Sequence, residues 1–381
     1  MAFEGAREKV PQKGQPNSAS ADKPAAADKA NVKNWTMFRG NPAATGVTKA
    51  KLGDKLKVAW KFKVKNGMFD GSPIVHKGVV YIGEGNGTLL ALSLESGEKL
   101  WQFPKEKPTL GFVGSAAFKN GLIYIGDLDG NLYCVNEKGE QQWKFQAEAA
   151  ITSSVNFYKD TVIVGAEDAM LYCLDAKSGD EKWKFETADE IRCMPTVIEN
   201  RAFVTGCDGA LHIVDLDAGK EVVSVELEAQ TIASPAVLGN RTFYGTAQNG
   251  FYAVDWKKEK LAWSYPDGDQ IHSSPAVIDA DGTKHVIYGS KQRKVVSLDA
   301  ETGKSNWEFK AKRSVDASPV VAGDRVVALS TDGRLYLINL KDGKKIFEKQ
   351  FTGGFAATPA VVDGKVIVAT MRGTVYCLEN E

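Results

Sequence analysis

Residues 174–183 read LDAKSGDEKW, and residues 298–307 read LDAETGKSNW. Each stretch contains the end of an apolar strand, a polar turn with glycine, and the start of a strand that carries tryptophan. Glycine suits such a turn because it adopts positive φ without steric cost. Since the two copies lie more than a hundred residues apart, they indicate a structural unit that the chain uses repeatedly.

Two landmarks of this unit can be counted from residue 72 to the end of the chain. The first is a small-residue pair, often with proline, before a short apolar strand: Ser72-Pro73, Ser115-Ala116, Ser153-Ser154, Met194-Pro195, Ser234-Pro235, Ser274-Pro275, Ser318-Pro319 and Thr358-Pro359. The second is an apolar strand at residues 89–93, 132–136, 171–175, 211–215, 251–255, 295–299, 335–339 and 375–379. Eight copies at intervals near 40 residues predict an all-β fold, an eight-bladed β-propeller with four antiparallel strands per blade.

The fourth strand of the unit predicts how the ring closes. It carries Trp101, Trp143, Trp183, Trp263 and Trp307, and Val223 and Phe347 take the same place in two further units. The eighth unit ends without a fourth strand, but residues 58–62 read VAWKF and supply Trp60. An N-terminal strand is therefore expected to complete the last blade, and each tryptophan to pack between neighbouring blades with its N–H bonded to a carbonyl.

Composition bounds the partners and the compartment. Formal net charge is zero over 381 residues, which gives no electrostatic reason to expect nucleic acid. No apolar run reaches the ~18 residues that span a bilayer. Residues 12–30 contain no aromatic or β-branched residue, so we predict a disordered leader or tether at 1–33 and the propeller at 34–381. No export signal is visible, so a periplasmic or envelope location and a cytoplasmic one both stay open.

The repeats at 174–183 and 298–307, and the lead-in Trp35-Thr36-Met37-Phe38-Arg39-Gly40-Asn41, resemble the pyrroloquinoline-quinone-like (quinoprotein-type) propeller repeats. The resemblance implies a docking motif in which the tryptophan of one blade packs on a peptide plane of its neighbour. Two branches of this family differ in function. The quinoprotein dehydrogenases hold pyrroloquinoline quinone (PQQ), a calcium ion and a catalytic Asp, whereas outer-membrane assembly factors of the BamB type act by protein contact without a cofactor.

The residues favour the second branch. The connections between units are short, the adjacent Cys-Cys pair of many quinoprotein dehydrogenases is absent, and the four His residues show no metal-ligand spacing. Trp256 lies in a turn, where a surface or packing role is expected rather than a cofactor contact. We therefore predict no catalytic, cofactor-binding or metal-binding residue, and a non-catalytic, monomeric scaffold of the cell envelope that binds other proteins. The alternative is a PQQ- or metal-dependent oxidoreductase that holds PQQ and Ca²⁺.

Candidate binding residues are expected around one mouth of the central channel: Asp70, Phe112, Asp127, Arg192, His272, Asp316, Phe355 and Arg372. Further acidic residues fall in the turns between second and third strands: Glu84, Asp127, Asp129, Glu167, Asp168, Asp208 and Asp332. An acidic ring there could bind a cation or a basic peptide. The alternative is that these carboxylates are turn chemistry alone.

Five cysteines occur in the chain. Cys134, Cys173 and Cys377 fill one repeat position, where a small buried residue is expected. Cys193 and Cys207 belong to one unit, and a hairpin turning near residues 199–200 would bring their thiols close together. A disulfide between them would favour an exported protein, and the alternative is that both are free thiols.

Overall fold

The computed structural model describes residues 33–106, 109–226, 229–248, 250–280 and 282–381. Across these ranges the chain folds into 33 β-strands that form eight separate sheets, arranged as the blades of a ring. The predicted leader falls almost wholly at residues 1–32, which lie outside the described residues. Within the described ranges no helix has the length and hydropathy needed to cross a membrane.

Each blade contains four antiparallel strands, which run in chain order from the channel outward in blades 1 to 7. Two strands precede the first blade: β1 (Val47–Thr48) and β2 (Leu56–Lys63). Blades 1 to 4 consist of β3 (Ile74–His76), β4 (Val79–Glu84), β5 (Thr88–Ser93), β6 (Lys99–Phe103); β7 (Ala117–Lys119), β8 (Leu122–Gly126), β9 (Asn131–Asn136), β10 (Gln141–Gln146); β11 (Asn156–Tyr158), β12 (Thr161–Gly165), β13 (Met170–Asp175), β14 (Glu181–Glu186); and β15 (Thr196–Ile198), β16 (Arg201–Thr205), β17 (Ala210–Asp215), β18 (Lys220–Glu226).

The remaining blades repeat this plan. Blades 5 to 8 consist of β19 (Ala236–Leu238), β20 (Arg241–Gly245), β21 (Gly250–Asp255), β22 (Lys260–Pro266); β23 (Ala276–Ala280), β24 (Thr283–Ser290), β25 (Lys294–Asp299), β26 (Ser305–Lys310); β27 (Val320–Ala322), β28 (Arg325–Leu329), β29 (Arg334–Asn339), β30 (Lys345–Gln350); and β31 (Ala360–Val362), β32 (Lys365–Ala369), β33 (Thr374–Asn380). The fourth strand of blade 8 is β2, which pairs antiparallel with β33 and sets Trp60 opposite Cys377. This pairing confirms the predicted closure by an N-terminal strand.

A β-bulge precedes the tryptophan position in all eight blades. The pairing between third and fourth strands shifts by one residue there, for example between Cys173 and Leu174 in blade 3. Such a bulge turns the next side chain toward the neighbouring blade. The residue opposite tryptophan is always small: Ala91, Cys134, Cys173, Ala253, Ser297 or Cys377. This opposition explains the repeated cysteines as volume partners of the indole.

Each of the six tryptophans docks on the next blade as predicted. Its Nε1–H donates to a backbone carbonyl at 2.8 to 3.3 Å, with the pairs Trp60–Leu94, Trp101–Glu137, Trp143–Ala176, Trp183–Leu216, Trp263–Ala300 and Trp307–Leu340. The ring covers the turn glycine of that blade, where an added Cβ would lie within 2.8 Å of indole atoms. The turn glycine is therefore needed both for its positive φ and for the space above it.

The joint between blades 4 and 5 reverses this arrangement. Blade 4 carries Val223 in place of tryptophan, and Val223 lies opposite the larger Ile213. Blade 5 supplies Trp256 instead, whose ring lies 5.3 Å from that of Phe203 in blade 4 and whose Nε1–H donates to Gly239 O. The turn glycine is replaced by Glu259, at φ 55°. Trp256 is thus a packing residue, which is one of the two roles that the sequence leaves open.

Residues 35–48, called the lead-in segment below, run around the inside of the channel. Their carbonyls accept backbone N–H groups from the inner strands of six blades, at Val75, Phe118, Val197, Val237, Val277 and Val321, over 2.7 to 3.1 Å. In blade 3 the side-chain amide of Asn156 donates to Pro42 O instead. At its end the segment forms β1, which pairs parallel with β27. The lead-in segment therefore ties seven blades together from within.

Candidate binding site at the mouth of the central channel

A ring of hydroxyl groups surrounds the channel just before the inner strands. Its members are Ser72, Ser115, Ser154, Ser234, Ser274, Ser318 and Thr358. Each hydroxyl accepts the backbone N–H of the equivalent residue in the preceding blade, at 2.8 to 3.1 Å. Met194 occupies the eighth position and breaks the ring. This hydroxyl ring fixes the spacing of the blades at the channel.

The hydroxyl ring corrects one detail of the sequence alignment. In blade 3 the hydroxyl that belongs to the ring is that of Ser154. The sequence repeat instead aligns Ser153, the first residue of its pair, with the first residues of the other pairs. Ser153 instead bonds within its own blade, where its hydroxyl donates to Gly165 O at 2.8 Å. The error arises because two adjacent serines give the sequence no mark of which one faces the channel.

The ring lines a cavity of about 160 Å³ whose lining also includes Phe38 of the lead-in segment. The residue two positions before each ring member forms the rim: Asp70, Val113, Thr152, Arg192, Ile232, His272, Asp316 and Ala356. Four of the predicted binding residues therefore lie together, namely Asp70, Arg192, His272 and Asp316. We call the face with this opening the mouth face.

Two rim carboxylates are half-buried and lack a hydrogen-bond donor among the described residues. Burial raises the pKa of Asp70, and burial likewise raises the pKa of Asp316, which His272 and Lys291 partly offset. Oδ1 of Asp316 is inaccessible and has no partner in the described part of the chain. Burial and then Lys291 lower the pKa of His272, so its imidazole is neutral at pH 7. The rim thus presents two half-buried carboxylates without a hydrogen-bond donor in the described part of the chain, and the charge of Lys291 offsets only that of Asp316 in part.

Arg192 is the rim cation, and its charge is already paired. Its guanidinium lies 3.2 Å from Glu167 Oε1 and 2.6 Å from Glu190 Oε2. Although burial opposes the charge, these two carboxylates raise the pKa of Arg192. About half of the side chain is exposed, so the pairs hold Arg192 in place rather than stabilise the fold strongly.

Four predicted binding residues lie elsewhere. Phe112 and Phe355 are fully buried and pack on Tyr133 and Phe351, so their placement at the mouth is wrong. Asp127 is also buried, where it accepts hydrogen bonds from Asn131 and Tyr133. Arg372 is exposed in the turn between β32 and β33, on the mouth face but outside the cavity.

Phe38, the hydroxyl ring and the neutral rim positions are site residues that the sequence reasoning missed. The serines belong to a landmark that the repeat itself reveals, but a strand start does not show which side chain faces the channel. Phe112 and Phe355 each precede a true lining residue, Val113 and Ala356. In an extended chain a shift of one residue moves a side chain to the opposite face.

Several acidic turn residues hold local structure. Glu84 is buried and accepts the N–H groups of Met68 and Asn86. Asp332 pairs with Arg334 within its own turn. Glu167, in contrast, pairs with Arg192 of the next blade. These contacts agree with turn chemistry and do not assemble one acidic ring, and no set of three metal-ligating side chains occurs among the described residues.

His212, on β17, forms a charged cluster with the turn residue Asp208 and with Glu221. Its Nε2 lies 2.8 Å from Asp208 Oδ2 and its Nδ1 lies 2.6 Å from Glu221 Oε1. Burial disfavours the charged ring, but these hydrogen bonds outweigh burial and raise the pKa of His212. Because the folded-state pKa exceeds the unfolded one, the stabilisation is fully present below the unfolded pKa of about 6.5 and is lost as pH rises through the folded value.

We therefore expect His212→Gln to cost on the order of 1 kcal/mol of unfolding free energy at pH 5.5 and less at pH 8.5. Denaturant unfolding at the two pH values measures this difference. His285→Gln is the matched control, since burial lowers the pKa of His285 and the sign should reverse. An equal cost at both pH values for His212→Gln would contradict the expectation.

Cys193 and Cys207 are both free thiols in this structure. The Cys193 thiol donates to Thr205 O at 2.8 Å, which is the position that a serine hydroxyl takes in blades 3 and 6. Burial raises the pKa of both thiols. The structure therefore shows Cys193 in a structural contact and no bond to Cys207.

Two cavities larger than the mouth cavity lie on the opposite face. One, of about 710 Å³, opens between blades 2 and 3 beside Lys119, Asp160 and Lys177. Another, of about 680 Å³, opens between blades 6 and 7 beside Thr283, Asp324 and Lys341. Both are lined by the same two turns of the repeat, so they follow from the shape of neighbouring blades. The mouth cavity, in contrast, is lined by all eight blades and occurs once in the ring.

Comparison with known proteins places this architecture. A family model described as outer membrane protein assembly factor BamB matches residues 53–132, 110–196 and 188–380. BamB of Nitrosomonas eutropha is 25% identical over 107 residues, which make up 28% of this chain and 25% of that protein. Quinohemoprotein alcohol dehydrogenase ADH IIB of Pseudomonas putida is 34% identical over 126 residues, or 28% of this chain and 18% of that protein. The matched segments thus span a quarter or less of either relative.

Solved structures agree on the fold. BamB from Moraxella catarrhalis superposes with a TM-score of 0.72 at 17% identity, covering 85% of this chain and all of that one. At this identity the likeness shows the eight-bladed architecture alone. The family model, in contrast, covers nearly all of the propeller. The chain is therefore a PQQ-like β-propeller that belongs to the family of the outer membrane protein assembly factor BamB.

Proposed function

We propose that this protein is a non-catalytic scaffold of the bacterial cell envelope, similar to BamB, that binds a partner protein through an apolar patch on its mouth face. The apolar patch consists of Met68, Leu110 and Leu128, which are 43%, 56% and 43% exposed. Large apolar side chains grouped on a surface are typical of protein interfaces. This grouping is the observation that carries the proposal.

The loops that carry the patch contact one another. Gly85 donates its N–H to Met68 O at 2.8 Å, and Leu128 donates its N–H to Gly111 O at 3.1 Å. A Cβ added at Gly85 would lie 3.2 Å from Met68 Cε, and one added at Gly111 would lie 3.4 Å from Leu128 Cδ1. The patch therefore rests on the adjoining loops of blades 1 and 2 rather than on isolated side chains.

The mouth face is also clear of the N-terminal entry of the chain. Asn34 accepts the N–H of Lys77 at 3.0 Å, in the turn between β3 and β4. This turn lies at the end of the blade away from the mouth. The first described residues therefore lie away from the mouth face.

The shape of the channel supports the scaffold over the dehydrogenase branch. A cavity of about 160 Å³ is smaller than the roughly 300–1,000 Å³ of typical cofactor pockets. Calcium requires six to eight oxygen ligands, and the two rim carboxylates are on blades 1 and 7 with Ala356 of blade 8 between them. The residues present do not fit a fused-ring quinone with its calcium ion.

Partner binding is tested with Leu110→Asp and Leu128→Asp in the full-length protein. We expect each variant to weaken capture of outer-membrane assembly proteins from an envelope extract by at least about tenfold, since burying a charge at an interface costs more than ~1.4 kcal/mol. Leu261→Asp is the control, because Leu261 is 43% exposed on β22 in blade 5, away from the patch. Quantitative mass spectrometry of the captured proteins measures the effect.

Two results would contradict the proposal. One is equal loss of capture with Leu261→Asp, and the other is capture that contains no outer-membrane assembly protein above the level of a bead control. Melting curves of all three variants should match the parent, because exposed positions contribute little to stability.

The oxidoreductase alternative has one observation in its favour, the match to the Pseudomonas putida dehydrogenase. It is tested by adding PQQ and Ca²⁺ and recording absorbance and melting temperature. We expect neither to change. A calcium-dependent shift in both would favour the dehydrogenase branch.

A further inference from the structure

We propose that the mouth cavity binds a small zwitterion of the amino-acid class, with its carboxylate on the hydroxyl ring and its ammonium group between Asp70 and Asp316. The cavity and the apolar patch share no residue, so this inference does not depend on the proposed function. Three features carry it: the unused hydroxyl protons, a buried cation without a carboxylate partner among the described residues, and rim carboxylates without hydrogen-bond donors in the same ranges.

The hydroxyl ring is a set of hydrogen-bond donors. Its seven members are between 2% and 7% exposed, and each hydroxyl oxygen accepts one backbone N–H. A hydroxyl that accepts in this way still has its own proton to donate. Among the described residues none of these seven protons has an acceptor. A carboxylate inside the hydroxyl ring would accept hydrogen bonds from several of these hydroxyl groups. Such charge-assisted hydrogen bonds are stronger than neutral ones.

Arg39 adds a positive charge directly beneath the ring. It is completely buried, and its Nη2 donates to Pro275 O at 2.9 Å and to Pro319 O at 2.8 Å. These prolines follow the ring members Ser274 and Ser318. Nε and Nη1 have no partner, and no carboxylate in the described ranges pairs with the guanidinium. Arg39 does not itself line the cavity, but its neighbour Phe38 does, and a buried unpaired cation favours an anion close by.

At the rim, the ligand should carry a positive charge, opposite to the carboxylate charge expected at the hydroxyl ring. Asp70 and Asp316 give the rim its negative charge. Arg192 is paired with Glu167 and Glu190, His272 is neutral, and Lys291 offsets the charge of Asp316 only in part. An anion alone would meet these carboxylates on entry, and a cation alone would meet Arg39 below. A ligand with a negative end toward the throat and a positive end toward the rim satisfies both layers.

The spacing and volume limit the ligand to a small molecule. Rim and ring positions are two residues apart, about 7 Å along an extended chain. A volume of about 160 Å³ corresponds to roughly five water molecules at ~30 Å³ each. Amino acids in which one to three carbons separate ammonium and carboxylate fit this space, whereas larger side chains would meet Phe38 or the rim.

Isothermal titration calorimetry of the full-length protein tests the assignment with alanine and 4-aminobutyrate as zwitterions, and acetate and ethylammonium as single charges. We expect at least one zwitterion to bind at millimolar concentration or below, and both single charges to bind at least about tenfold more weakly. Equal binding of acetate or of ethylammonium would overturn the zwitterion assignment, as would the absence of binding by both zwitterions.

Matched variants locate the site. Asp316→Asn should weaken zwitterion binding by about tenfold, whereas Asp129→Asn, on the same face but outside the cavity, should leave it unchanged. Asp70→Asn provides a second rim variant if the first unfolds, as judged by circular dichroism. Retained affinity in a folded rim variant, or an equal loss with Asp129→Asn, would overturn the proposal.

Discussion

Replacing Trp60 with alanine is expected to lower the free energy of unfolding by about 3–5 kcal/mol, which is the usual cost of truncating a large buried aromatic side chain to alanine. Trp60 is 8% exposed and donates to Leu94 O at 2.9 Å. It also covers the turn at Gly97 in blade 1. The variant loses this packing and leaves the partly buried carbonyl of Leu94 without its tryptophan donor.

Trp307→Ala is the matched control for this change. Trp307 is also 8% exposed and donates to Leu340 O at 2.8 Å, so the local loss is the same. The two positions differ in connectivity. Trp307 docks blade 6 on a blade that follows it directly in the chain, whereas Trp60 belongs to the strand that joins the N-terminal part of the chain to blade 8.

Hydrogen exchange separates the two variants. In Trp60→Ala we expect faster exchange at the amides of β2 and β33, since their pairing is held at its outer side by this docking. In Trp307→Ala the same amides should keep the protection of the parent. Identical exchange at β2 and β33 in both variants would show that Trp60 has no special part in closing the ring.

The closure was predictable because its signal is local. Every blade tryptophan except Trp60 follows the third strand of its own blade at a nearly constant distance. A missing fourth strand at the end of the chain and a spare one near its start can therefore be matched by inspection. The volume match is visible in the same way: tryptophan stands opposite Ala, Cys or Ser, whereas Val223 and Phe347 stand opposite Ile213 and Leu337. This covariation within the repeat also accounts for Cys134, Cys173 and Cys377.

The composition of the channel was less predictable, because it depends on contacts between distant parts of the chain. Arg39 bonds to residues 236 and 280 positions away. The lead-in segment was visible as a sequence resemblance, yet nothing in it indicates a path around seven inner strands. At the rim, the extended chain makes a side chain's direction sensitive to a single residue, which is why Phe112 and Phe355 were placed at the mouth.

Arg39→Ala is expected to lower the free energy of unfolding by about 3–5 kcal/mol. The variant leaves the buried carbonyls of Pro275 and Pro319 without donors, at about 1–3 kcal/mol each, and opens a cavity inside the lead-in segment. Burial lowers the pKa of Arg39 to about 9, so the guanidinium is still charged at neutral pH. Gly46→Ala should have a similar effect, because its Cβ would lie 1.8 Å from Arg39 Nη2.

Arg39→Met separates two opposing contributions of Arg39 to the free energy of unfolding: the hydrogen bonds that it donates and the cost of burying its charge. Methionine keeps most of the volume and removes the charge, so it loses the two hydrogen bonds but also the cost of burying an unpaired cation. We expect a loss of about 1–3 kcal/mol, smaller than for alanine, in denaturant unfolding at pH 7. If Arg39→Met is instead more stable than the parent, burying the charge costs more than the two bonds contribute. The presence of Arg39 would then be explained by a ligand in the mouth cavity. In that case, zwitterion binding should be lost in the more stable variant.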